Sequence, residues 1–149
     1  MATTILVAVD FEEPSGRAIE MARELAGPLG AELCLLHAYQ LPLYTYPSLE
    51  PQILPELLLE VPRAARHALE QLAAAVGVAR TLLREGDPAA AILAAASEVG
   101  AKMIVMGTHG RRGLTHALLG SVAEKVVRRS EIPVLTVRST RGTPPPPRV

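Results

Sequence analysis

Ala31-Glu32-Leu33-Cys34-Leu35-Leu36-His37-Ala38 is apolar on four consecutive residues, Leu33 to Leu36, where a half-wet strand would alternate. Side chains of a strand point to opposite faces in turn, so a run apolar on both parities is buried on both sides. That is the pattern of a parallel sheet covered by helices above and below. Toward the amino terminus, Thr4 to Val9 is a second β-branched and aliphatic run, closed by Asp10. Glu12-Glu13-Pro14-Ser15 then prepares a helix over Ser15 to Leu29, with Ala18, Ile19, Ala22, Leu25, Ala26 and Leu29 along one face and Gly30 as its stop. The unit is strand, helix, strand.

Toward the carboxyl terminus, Tyr39 to Pro62 contains Pro42, Pro47, Pro51, Pro55 and Pro62, which predicts an irregular, exposed connection. A helix is expected from about Arg63 to Val76, stopped by Gly77, and a third strand over Ala79 to Arg84. Glu85-Gly86-Asp87-Pro88 turns into another helix, with Asp87 as its N-cap and Pro88 at the first helical position, where a missing amide hydrogen costs nothing. Lys102 to Met106 reads as the fourth strand, Val122 to Arg129 as part of the last helix and Pro133 to Arg138 as the fifth strand, at a sheet edge. Alternating strands and helices imply an α/β fold: a doubly wound, five-stranded parallel sheet, Rossmann-like, in the order 3-2-1-4-5, with right-handed crossovers and ligands at the carboxyl ends of the strands. Residues 1–138 are expected to form one domain. Ser139 to Val149, with four successive prolines, reads as an extended, disordered tail.

Composition narrows the class of partner. Lys plus Arg equals Asp plus Glu at 15 each, which removes the cationic surface that would hold nucleic acid or anionic lipid without regard to sequence. The single cysteine, Cys34, lies in an apolar run, allows no internal disulfide and is read as a small core residue. With no charge-free apolar window long enough to span a bilayer and no basic leader before Thr4, the expected location is the cytoplasm. No pair of histidines stands at metal-ligand spacing on a helix face, so no dedicated zinc site is expected. His37 reads as a hydrogen-bonded core histidine.

The segment Met106-Gly107-Thr108-His109-Gly110-Arg111-Arg112-Gly113-Leu114-Thr115-His116-Ala117-Leu118-Leu119-Gly120-Ser121-Val122 runs from the end of the fourth strand to the start of the last helix. Free amide hydrogens at a helix start favour an anion, and Gly107, Gly110 and Gly120 let the backbone approach a phosphate with no Cβ in the way. Ser121 adds a hydroxyl, while His109, Arg111 and Arg112 add positive charge. Turn glycines and a simple N-cap are the bland alternative.

Gly107, two residues, Gly110, nine residues, then Gly120-Ser121 resembles the nucleotide loop of ATP-binding universal stress proteins. The likeness runs from Ile5 to Val137. It includes Val7-Ala8-Val9-Asp10, Leu35-Leu36-His37-Ala38 and Glu85-Gly86-Asp87-Pro88-Ala89. The resemblance implies that Asp10 lies by the ribose and phosphates and Ala38 by the adenine edge. Ala8 and Val9 would line the base pocket and Met106 would pack on the nucleoside. The phosphates would be surrounded by Gly107, Gly110, Gly120, Ser121 and Val122; Thr108, His109 and Arg111 are expected to belong to the same binding site. ATP is the implied cofactor, and a homodimer through Pro133 to Arg138 the implied assembly. Where the family often has Gly or Phe then Ser after the Asp, this chain has Phe11-Glu12-Glu13, two carboxylates that would either weaken the anion or favour a bound Mg²⁺. The functional expectation is a nucleotide-dependent stress-response regulator. No Walker loop and no Ser-Gly-Gly phosphate grip is present, so no catalytic residue is assigned. Slow ATP hydrolysis or phosphotransfer at the same site and a nucleotide-free interaction module stay open as alternatives, the complete glycine spacing arguing against the last.

Overall fold

The structure, a computed structural model, describes residues 2–11, 13–41, 54–108 and 119–138. Its elements follow in the order β1 (Thr3–Ala8), α1 (Glu13–Leu29), β2 (Ala31–Tyr39), α2 (Leu54–Val76), β3 (Arg80–Glu85), α3 (Pro88–Glu98), β4 (Ala101–Gly107), α4 (Ser121–Arg129) and β5 (Val134–Val137). The five strands form one sheet, ordered β3-β2-β1-β4-β5, and every pairing is parallel. The order and the parallel sense are those expected from the sequence.

Period-two alternation divides the core into two layers. On and just past β1, Ile5, Val7 and Val9 pack with Ala18, Ile19 and Ala22 of α1 and Leu69 and Ala73 of α2. Leu6 packs on the other face with Ile92, Ala95 and Ala96 of α3 and Ala123 and Val126 of α4. Both parities of β1 and β2 are therefore inside, which is why Leu33 to Leu36 is apolar without alternation. Because α1 and α4 leave the adjacent strands β1 and β4 for opposite faces, the sheet opens between them at its carboxyl edge.

Two expectations are corrected. The stretch Leu54–Pro62, expected to be irregular, is the first part of α2. Pro55 falls in the opening turn, where it sacrifices no helical bond, and Pro62 is accommodated inside. Leu57, Val61, Ala65, Leu69, Ala73 and Val76 keep one half-buried to buried stripe across that proline, and burial of the stripe outweighs a local breaker. Leu29 is the second correction: it is 54% exposed, because the helix ends there and Gly30, at φ +60°, turns the chain back into β2. Residues 42–53 and the tail 139–149, expected to be an irregular connection and an extended end, lie outside the described residues.

Cys34 is fully buried in the α3/α4 layer. Burial pushes its thiol up from the ordinary value of 9.0, while Arg80 and Arg84 pull weakly the other way. The folded chain thus keeps a proton that the unfolded chain loses as pH passes 9.0. That stabilisation is complete below the unfolded value and declines as pH rises above it. Urea midpoints measured from about pH 8 to about pH 11 should fall more steeply for the wild type than for Cys34→Val. Parallel slopes would show that Cys34 ionisation is not linked to folding.

Candidate functional site

A cleft of about 630 Å³ opens at the carboxyl edge of the sheet, where β1, β2 and β4 end and α3 and α4 begin. Strand ends contribute Ala8 from β1 with Val9 just past it, Ala38 from β2, and Met106 and Gly107 from β4, and three of these five carry a methyl group or no side chain. Small side chains there leave room for a flat guest between backbone edges.

The start of α4 forms the opposite wall. Its N-cap is Gly120, in an extended conformation (φ −71°, ψ 168°), with no side-chain cap bond among the described residues. The α3 start, on the same rim, is closed instead: Asp87 accepts the amide of Ala90 at 3.0 Å, with Pro88 next to it, as the sequence predicts. The partial positive charge at the start of α4 faces the cleft. Thr108, buried at 4% exposure, ties this wall to the sheet: its amide donates to Val137 O at 3.0 Å and its carbonyl accepts from Gly120 N.

The β1 end is held from two sides. Ser15 Oγ accepts the Asp10 amide at 2.9 Å and donates to Asp10 Oδ1, so one hydroxyl closes the turn into α1. His37 Nδ1 stands 2.8 Å from the Val9 carbonyl, and the Phe11 ring lies 4.4 Å from the imidazole at an interplanar angle of 51°. Phe11 sits at φ +66°, left-handed backbone that costs a non-glycine residue about 1 kcal/mol.

Of the residues singled out from the sequence, the cleft brings together Ala8, Val9, Asp10, Ala38, Met106, Gly107, Thr108, Gly120, Ser121 and Val122. His109, Gly110 and Arg111 lie outside the described residues, as does Glu12. Sequence reasoning missed Ser15, His37 and Gln40 as lining groups. It also missed Asp87, read only as a cap, and Lys125, the one ammonium group on the described rim. Lys125 was legible in principle, since it follows Ser121 by four residues and shares its helix face. Among the described residues, no group of three or more His, Cys, Asp or Glu could hold a metal ion. No helix there is long and apolar enough to cross a membrane.

The profile of the Universal stress protein family matches residues 1–138. Universal stress protein YxiE of Bacillus subtilis is 37% identical over 148 residues, spanning 93% of this chain and 100% of that one. Universal stress protein UspA from Lactobacillus plantarum superposes with a TM-score of 0.75 at 26% identity, covering 91% and 97% of the two chains. A universal stress protein solved in complex with cAMP superposes with a TM-score of 0.61 at 29% identity, covering 93% and 98%.

Proposed function

Since the chain belongs to the universal stress protein family, we propose that it is an ATP-binding regulatory module whose nucleotide sits in the cleft between β1 and β4. One observation carries the reading: the strand ends and the start of α4, which has no side-chain cap among the described residues, line one cleft, with an apolar slot on one side and helix-start amides on the other. About 630 Å³ lies within the range of small-molecule sites and is roomy enough for a nucleoside phosphate. Ala38 would meet the adenine edge, Asp10 the ribose, and the amides of Ser121 and Val122 the phosphates, with Gly110, His109 and Arg111 supplied by the loop between. The solved complex with cAMP supports an adenine nucleotide as the class of guest. Bound ATP would supply a chargeable, hydrolysable group to be sensed. The residues described here bind and orient it, and we assign no base to activate water.

The same reading includes a homodimer in the cytoplasm. At one sheet edge β3 presents Arg80, Arg84 and Glu85, charges that discourage pairing. At the other, β5 is Val134-Leu135-Thr136-Val137 with β4 as its one neighbour, an edge with no charge to repel a second copy. Calorimetric titration with ATP, ADP and cAMP, each with and without Mg²⁺, tests the cofactor, and sedimentation of the same samples tests the assembly. Saturable heat with ATP and a species of twice the 15.8 kDa chain mass are expected. No heat with any of the three would overturn the nucleotide; cAMP alone giving heat would replace ATP with the cyclic monophosphate.

A further inference from the structure

We propose that His37 is a positioning residue for the nucleotide, fixing the end of β1 so that Asp10 faces the cleft; this deepens the ATP reading and rests on it. Beyond Ala8 the strand loses its ladder. Val9 keeps one bond, from its amide to Leu36 O at 2.8 Å, and then the chain turns through left-handed Phe11. A non-glycine residue stays in that region only where its surroundings hold it. Ser15 holds Asp10 from the α1 side, through the Asp10 amide and carboxylate. His37 holds the flanking residues: its Nδ1 meets the carbonyl before Asp10 and its ring packs on the side chain after it. Asp10 is therefore bracketed at 9 and 11 by one imidazole on the neighbouring strand, and set at 10 by one hydroxyl.

The chemistry defines the tautomer. A carbonyl oxygen only accepts, so Nδ1 must carry the hydrogen, and in the neutral ring Nε2 is the bare nitrogen. Asparagine can place its amide nitrogen close to where Nδ1 stands, whereas leucine fills similar space and offers no donor.

Two measurements test this. Long-range ¹⁵N–¹H spectra of the wild type should show a hydrogen on His37 Nδ1; a bare Nδ1 would overturn the contact with Val9. Calorimetry with ATP should give an affinity lowered about tenfold in His37→Leu, the worth of one part-buried hydrogen bond, and restored to within about threefold of wild type in His37→Asn. A packing role predicts the reverse order, since asparagine leaves the larger void. Leucine binding as well as wild type, or asparagine binding no better than leucine, would therefore sink the assignment. Absence of ATP binding in the wild type would instead remove the reading on which it stands, with the ¹⁵N result still reporting the contact.

Discussion

Gly120→Asp is expected to weaken ATP binding by at least about 100-fold while leaving the melting temperature within a few degrees of wild type. Gly120 already has the extended backbone (φ −71°, ψ 168°) that an aspartate N-cap adopts, so the substitution needs no change of backbone conformation. The new carboxylate would accept from the first-turn amides of α4, where the described residues of the wild type supply no side-chain cap. A cap of this kind is worth about 1 kcal/mol to the fold, offset in part by Asp10 and Asp87 on the same rim. Nucleotide suffers twice. Its phosphate loses the amides to the aspartate and meets a negative charge about 4 Å away, worth about 4 kcal/mol of repulsion at the effective dielectric of a protein surface. Gly120→Asn separates the two effects, because it caps with no charge and should cost ATP much less. Titration heats equal to wild type in Gly120→Asp would mean that phosphate does not use the α4 start.

The fold was legible where local chemistry and burial agree. Leu33 to Leu36 announces a strand covered on both faces, and the Asp87-Pro88 pair announces the α3 start to the residue. The α2 start was not legible, because Pro55 and Pro62 are strong local signals, while the stripe that keeps the helix going acquires its worth only when it packs on the sheet. The cleft divides in the same way. Its strand ends and glycines could be read along the chain, but Ser15, His37, Asp87 and Lys125 enter through neighbours that strand order creates. His37 comes to Val9 because β2 lies beside β1, across 28 positions of sequence. Asp87 comes to the rim because α3 and α4 cover the same face.

Leu6→Ala is the substitution expected to cost the fold most, by about 3 kcal/mol. Leu6 is 0% exposed on the central strand and stands in register with Cys34 on one side and Ile104 on the other. Its side chain lies in the layer that joins β1 and β4 to Ile92 of α3 and Val126 of α4, so truncation removes apolar contact and leaves a void bounded by two strands and two helices. A parallel sheet covered on both faces has little freedom to collapse into that void, which keeps the cost within the usual range for a buried leucine truncation. For a domain of this size such a loss lowers the melting temperature by roughly 6 to 12 °C. Urea unfolding followed by circular dichroism should show a lower midpoint with an unchanged slope, since the surface exposed on unfolding is nearly the same. The consequence for the cleft is direct. Ala8 lies two residues beyond Leu6, and the same layer positions Met106 and Ala123, so the walls are braced by the packing that the mutation loosens. ATP affinity should fall with stability in Leu6→Ala, whereas in Gly120→Asp affinity should fall alone. A Leu6→Ala protein within about 1 kcal/mol of wild type would mean that this layer is not the one that holds β1 against β4.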